Sequence, residues 1–310
     1  MSSPKISIIM AAYNAEKFIR QSIDSVLSQT YGNFELVIVN DCSTDKTSAV
    51  IESYSDCRIK CYSIECNRGP SYARNIAVSQ STGDYITVLD ADDFYAPDRL
   101  QTLATKVFDS DNCFVADDSI IFANDTDFEV AKETVFSQQN IKFDESGEMW
   151  LSLDKYFSKG NPNIKIMFPS GWVKERDIKY DEKIKFGEDL KFVIDLFSSG
   201  LRLKLVNCQT YFYRMNSCSI TRSSGKSWDQ LAMVQAYASE AFVKNGDHSW
   251  AIRTSNTSIK YLAFDKIKKR DFRGLTQLFL RKPYSIILLY HGIKETLVFR
   301  LKEGRIKFWR

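Results

Sequence analysis

Short, nearly continuous apolar runs alternate with stretches of helical periodicity through the first hundred residues. KISIIMAA (5–12), FELVIVND (34–41), RIKCYSI (58–64) and DYITVLDADD (84–93) read as strands. The first, second and fourth are apolar enough to be covered on both faces. Phe18, Ile19, Ile23, Val26 and Leu27 recur at helical spacing, which predicts a helix over about 15–29 capped by Asn14. Ser43 or Thr44 would cap a second helix ending near residue 54. A third spans 71–81, with Gly83 closing it, and a fourth begins near Pro97. Strand and helix in repeated succession predict a parallel sheet wound by crossover connections.

The second half is patterned less regularly. Two or three strands are expected over 108–143 and a helix over 150–157, while 161–167 is ambiguous. FGEDLKFVIDLF (186–197) reads as a helix that buries Leu190, Val193, Ile194 and Phe197 and follows a break at Gly187. LRLKLVNCQTYFYR (201–214) is a strand, and 228–246 and 249–268 are helices. The expected fold is α/β, a mostly parallel sheet flanked by helices over residues 1–222, followed by a basic helical appendage over 223–310.

The fourth strand ends in three acids, Asp90, Asp92 and Asp93. Like charges so close repel, and folding alone does not select them. A divalent cation, Mn²⁺ or Mg²⁺, would relieve the repulsion through hard oxygen ligands; the plain alternative is a solvated turn capping the next helix. The first two strands end in Tyr13 and Asn14, then in Asp41. In an open α/β sheet these carboxyl ends share one edge, where ligands bind. An aromatic ring, an acid able to accept a base N–H and a metal-binding pair outline a nucleotide-diphosphate site. Each residue also has a plainer reading, as a strand-end aromatic, a turn acid or a surface charge.

Composition narrows the chemistry. The 310 residues are 44% hydrophobic and 26% charged, an ordinary globular balance. Only His248 and His291 exist, both far along the chain from the acids, so proton transfer falls to carboxylates. Seven cysteines without a CxxC pair fit free thiols in a reducing compartment; Cys57, Cys61 and Cys66 lack a second cluster to complete a zinc site. The opening MSSPKISIIMAAYN does not read as a signal peptide, and YSIILLY (284–290) is too short to span a bilayer. SSGKS ends a failed P-loop pattern, because Ile220 stands where its first glycine belongs. Net charge is +3 overall, but residues 260–310 carry +10 and the preceding ones −7.

SIIMAAYNAEKFIRQSIDSVLSQTYGNFELVIVNDCSTDKT and NRGPSYARNIAVSQSTGDYITVLDADD together resemble the start of family 2 glycosyltransferases, inverting enzymes of GT-A fold. The resemblance runs without a gap over about 5–98 and resumes at FGEDLKFVIDLFSSG and YFYRMNSCSIT. It places Asp90-Ala91-Asp92 as the DxD motif. It implies that Ala12 and Tyr13 line the base pocket, that Asp41 accepts from the N3–H of the base, and that Arg74 helps hold the base. Asp90 and Ala91 would meet the ribose, and Asp92 the metal on the diphosphate. Asp189 matches the family's catalytic base, and Glu188 would hold an acceptor or orient its neighbour; as acids in a first turn, both also suit the helix dipole. Gly171 and Trp172 match an acceptor-facing pair, although a core tryptophan is an equal reading. Tyr213, Arg214 and Ser219 match a loop that closes over the diphosphate. Asn216 stands where histidine is common, which puts a further metal contact from that loop in doubt.

The resemblance implies transfer of a hexose from a nucleotide sugar, a UDP-sugar by preference, to a glycan or polyprenyl-linked glycan of the bacterial surface. The enzyme would work in the cytoplasm, peripheral to the inner face of the membrane, where an aromatic, basic tail from Phe272 can lie on anionic lipid. A small helical appendage is an equal reading of that tail, and no nucleic-acid module supports a nucleic-acid partner. A nucleotidyltransferase would need a glycine-rich basic loop where AAYNAEK stands. The other rival is an inactive nucleotide-sugar-binding scaffold.

Overall fold

The computed structural model describes residues 3–108, 112–122, 133–215, 227–283 and 286–287. The chain forms two compact units, Met1–Ser219 and Ile220–Arg310. In chain order the first holds β1 (Ile6–Ala12), α1 (Ile19–Leu27), β2 (Phe34–Asn40), α2 (Thr47–Glu52), β3 (Ile59–Ser63), α3 (Pro70–Gln80), β4 (Tyr85–Val88), β5 (Phe94–Tyr95) and α4 (Arg99–Phe108). There follow β6 (Cys113–Phe122), α5 (Val135–Gln138), β7 (Glu148–Leu151), α6 (Leu153–Ser158), β8 (Lys165–Pro169), α7 (Ser170–Glu175), α8 (Glu188–Ser198) and β9 (Arg202–Arg214).

One sheet runs β3-β2-β1-β4-β8-β6-β9, and the outer side of β9 carries β7 on its first half and β5 near its end. β3, β2, β1 and β4 are parallel, as the crossover pattern predicts. The rest is mixed: β8 is antiparallel to both β4 and β6, and β6 is parallel to β9. Ile6, Ile8, Met10, Leu36 and Ile38 form one core with Ile19, Ile23 and Val26 of α1 and Leu100, Leu103 and Val107 of α4. α3 lies against β1 and β2 with Ala73, Ala77 and Val78 buried. Both faces are thus covered, which is why β1 and β2 read as continuous apolar runs. Each fully buried aliphatic contributes about 1.5–3 kcal/mol.

Several local expectations change. Asn14 does not cap α1. It sits at φ 50°, and its side-chain oxygen accepts from the Thr44 N–H, tying the β1 and β2 ends together. α1 therefore begins only at Ile19, without a side-chain cap. α2 is likewise uncapped by Ser43 or Thr44; Asp45 accepts from the backbone and hydroxyl of Thr47 instead. Over 108–143 the described residues hold one long strand, β6, and the short α5; residues 123–132 lie outside the described set. The helix expected over 150–157 is β7 followed by α6, and the ambiguous 161–167 contains the start of β8. Gly83 lets the chain press onto β1: a Cβ there would stand 2.7 Å from the Ser7 backbone nitrogen.

The second unit holds α9 (Trp228–Lys244), α10 (His248–Lys268) and α11 (Phe272–Arg281). Trp228 at the start of α9 meets Tyr261 and Phe264 near the end of α10, and Phe242 stacks on Trp250, so the two helices run antiparallel. α11 buries none of its residues, and Phe272 and Leu280 are exposed. Among the described residues no helix is long and apolar enough to cross a membrane.

Candidate active site

The site forms where β1, β2 and β4 end and β8 begins. Because β8 runs antiparallel to β4, its first residue, Lys165, lies at the same edge as Asp90, two residues beyond β4. Gly187, at φ 90°, turns the chain into α8 and puts Glu188 and Asp189 in its first turn. Arg74 reaches the same point from α3.

These residues form one ion network. Arg74 donates through Nη2 to Asp90 Oδ1 at 2.8 Å and through Nη1 to Glu188 Oε1 at 3.0 Å, and Nη1 stands 3.3 Å from Asp189 Oδ1. The Lys165 ammonium donates to Asp90 Oδ2 at 2.5 Å and lies 3.7 Å from Asp189 Oδ2. Arg74 and Lys165 are each only 5% exposed. Charges so buried persist because they are paired. Burial pushes the Asp90 carboxyl up, but Lys165 and Arg74 outweigh it and hold it below the usual carboxylate range. Burial works against the Lys165 ammonium, yet Asp90 and Asp189 raise it above the ordinary lysine value. Glu188 is pushed up by burial and by the Asp189 charge, against the pull of Arg74. The Asp189 side chain is the most open of the three acids, at 31%. A cavity of about 10 Å³, room for one water, lies against Lys165, Tyr180 and Asp189.

The third acid of the fourth strand turns away. Asp93 is buried, accepts from the Tyr211 hydroxyl at 2.7 Å and from the Arg214 backbone at 2.8 Å, and is raised well above the usual range by burial and by Asp92 and Asp90. It anchors β9 to the strand end. Asp92 is half-buried between them, and its backbone carbonyl accepts from Arg214 Nε at 2.8 Å. Arg214 also donates to Gln21 and packs against Phe18 and Phe122, so its guanidinium braces the acidic turn from behind. Asn216 and Ser219, beyond it in the loop that the resemblance picks out, lie outside the described residues.

Asp41, 2% exposed, accepts from the backbone N–H groups of Arg68 and Gly69, each at 2.7 Å. It thereby fixes the loop that leads into α3 and Arg74. Ala12 and Ala91 are buried small residues at the same edge, and Tyr13 beside them is 49% exposed. Gly171 and Trp172 are not brought to this cluster. Trp172 lies under Arg176 and donates its indole N–H to Ser199 at 2.9 Å. Ser199 follows the last turn of α8, ten residues from Asp189 and so about 15 Å along the helix. Sequence reasoning missed Lys165, Tyr180 and Tyr211. The signal for Lys165 was a single charge inside the apolar run NIKIMF, a position a charge occupies only with a partner.

Among the described residues no group of three or more His, Cys, Asp or Glu side chains is placed to hold a metal on protein ligands alone. Cys42, Cys57, Cys61, Cys66 and Cys208 are free thiols.

Residues 7–183 match the family described as Glycosyl transferase family 2. The chain is similar to the succinoglycan biosynthesis protein ExoO of Rhizobium meliloti, 25% identical over 91% of this chain and 83% of ExoO. It is also similar to the Escherichia coli UDP-Glc:alpha-D-GlcNAc-diphosphoundecaprenol beta-1,3-glucosyltransferase WfaP, 29% identical over 71% of this chain and 81% of WfaP. Among solved structures it resembles S. aureus TarS 1-349 in complex with UDP-GlcNAc, with a TM-score of 0.60 and 20% identity over 84% of this chain and 72% of that one. That likeness carries the fold: a mixed α/β sheet flanked by helices, of the GT-A type.

Proposed function

The chain belongs to glycosyltransferase family 2, and we propose that it transfers a hexose with inversion from a UDP-sugar to a glycan or polyprenyl-linked glycan acceptor in surface polysaccharide synthesis. The observation that carries this reading is the joining of Asp90, in the DxD turn, to Asp189, on α8, through Arg74 and Lys165. Donor-binding and base residues thereby share one edge. ExoO and WfaP, named for succinoglycan biosynthesis and for glucosyl transfer to a diphosphoundecaprenol-linked sugar, support the acceptor class.

In this mechanism the acceptor hydroxyl oxygen bonds to the anomeric carbon from the face opposite the diphosphate. Asp189 takes the hydroxyl proton, and the bond from the anomeric carbon to the phosphate oxygen breaks with its electron pair leaving on UDP. General-base assistance of this kind contributes about 10²–10⁴-fold. Asp189 suits the role better than Glu188, which is more enclosed and bonded to Arg74. Tyr13 and the loop fixed by Asp41 border the nucleotide end.

A divalent cation fits the donor set. Asp92 would hold Mn²⁺ or Mg²⁺ together with the donor phosphates, since such ions use one or two carboxylates plus substrate oxygens rather than an all-protein cage. Bound there, it offsets the diphosphate charge and stabilises the departing nucleoside diphosphate. The exposed Phe272 and Leu280 of α11, beside Arg273 and Arg281, support peripheral contact with an anionic membrane surface on the cytoplasmic side.

The test is a donor screen. Several UDP-sugars are offered with Mn²⁺ and polyprenyl-linked acceptors, UDP release is measured, and the product is analysed by mass. Release with a mass gain of one hexose is expected. UDP binding without turnover on any donor or acceptor would favour a scaffold.

A further inference from the structure

Resting on the reading of Asp189 as the base, we propose that Lys165 is a positioning residue of the transfer reaction, fixing one oxygen of the base carboxylate while Arg74 fixes the other. The two cations divide the Asp189 carboxylate between them: Arg74 Nη1 stands 3.3 Å from Oδ1 and Lys165 Nζ stands 3.7 Å from Oδ2. A carboxylate flanked on both oxygens keeps one plane, and its accessible side is then presented to an acceptor in a single orientation. The same two cations hold Asp90 more tightly, at 2.8 and 2.5 Å. The base is thus indexed to the donor-binding turn through a residue that belongs to neither.

The groups facing Asp189 come from several elements. They are Arg74 of α3, Lys165 of β8, its neighbour Glu188, Tyr180 in the loop before α8, and Tyr156 of α6. Only Arg74 and Lys165 among them are positive, and Arg74 already bonds Asp90 and Glu188. Removing Lys165 leaves Oδ2 without its facing cation while Glu188 stays alongside. The base is then less well oriented.

Lys165→Met and Lys165→Arg are compared with the wild type and with Asp189→Asn, by turnover at saturating donor and by UDP binding. Lys165→Met is expected to lose at least about tenfold in kcat, as misplacement of a reacting group does. Lys165→Arg should recover most of that kcat, and UDP affinity should change by less than about threefold in both, well short of the tenfold that 1.4 kcal/mol represents. An unchanged kcat in Lys165→Met, no recovery in Lys165→Arg, or loss of UDP binding in step with kcat, overturns the proposal. If Lys165→Met does not fold, Lys165→Gln is read the same way. A wild type without turnover, or an active Asp189→Asn, would instead overturn the function on which the proposal rests.

Discussion

Asp90 and Asp189, far apart in the chain, are held by the same two cations. Arg74 lies 2.8 Å from the one and 3.3 Å from the other, and Lys165 lies 2.5 and 3.7 Å away. The looser distances belong to the more open carboxylate, the one able to meet an acceptor. Asp189→Asn should therefore lower kcat by about 10²–10⁴-fold, with UDP binding retained by calorimetry. Glu188→Gln keeps an acceptor oxygen for Arg74 and should lose less than Asp189→Asn. A larger loss in Glu188→Gln would exchange the roles of the two acids.

Asp41 acts through backbone. Its two carboxylate oxygens accept from the N–H groups of Arg68 and Gly69, and asparagine can replace only one of them as acceptor. The remaining N–H then faces an amide donor in a buried place, at a cost of about 1–3 kcal/mol. Asp41→Asn should lower stability in urea titrations by that amount and weaken UDP binding, because the same loop positions α3 and Arg74. Unchanged stability would show that the loop holds itself.

How far the site was legible depended on whether a residue's neighbours were near in sequence. The strand ends could be read because parallel strands joined by crossovers deliver their carboxyl ends to one edge, and the run 84–93 carries its acids in plain order. Asp93 could not be told from Asp92 by pattern, since its inward turn is set by Tyr211 and Arg214 on β9. Lys165 was hidden for a similar reason: its place follows from β8 running antiparallel to β4, a pairing that no local periodicity records. The two readings of Trp172 stayed level in the sequence because an aromatic beside a glycine has the same pattern whether it faces a sugar or packs against an arginine and Ser199.

The ion network also sets a pH dependence of stability. Lys165 and Arg74 hold the folded Asp90 carboxyl below its unfolded value of about 3.9. A lowered carboxyl stabilises the fold fully above the unfolded value and loses that contribution as pH falls through the folded one. Asp90→Asn strips one partner from two buried cations and should cost about 3 kcal/mol at pH 7. The gap in melting temperature between wild type and Asp90→Asn should be full above about pH 5 and narrow progressively below about pH 4, where the unfolded chain takes up the proton first, until pH falls through the lower folded value. Glu188, raised in the fold by burial and by Asp189, is common to both proteins and largely cancels from the difference. A gap that does not change with pH would mean that Asp90 contributes by shape rather than charge.

The proposed use of a metal can be tested apart from turnover. Asp90 has both oxygens bonded to cations, so Asp92 is the acid of the DxD turn that would take an ion, completed by donor phosphates. Two consequences follow by linkage. UDP should bind more tightly with Mn²⁺ present than with a chelator, and Mn²⁺ should bind more tightly with UDP present than alone, by the same factor. Asp92→Asn should remove most of that reciprocal gain while leaving UDP affinity in chelator unchanged, since the base and ribose contacts do not involve it. Calorimetry of UDP with and without Mn²⁺, on wild type and Asp92→Asn, measures all four affinities. Equal UDP affinity in Mn²⁺ and in chelator for the wild type would remove the ion from the donor site and leave Arg74 and Lys165 as the nearest positive charges at the DxD turn.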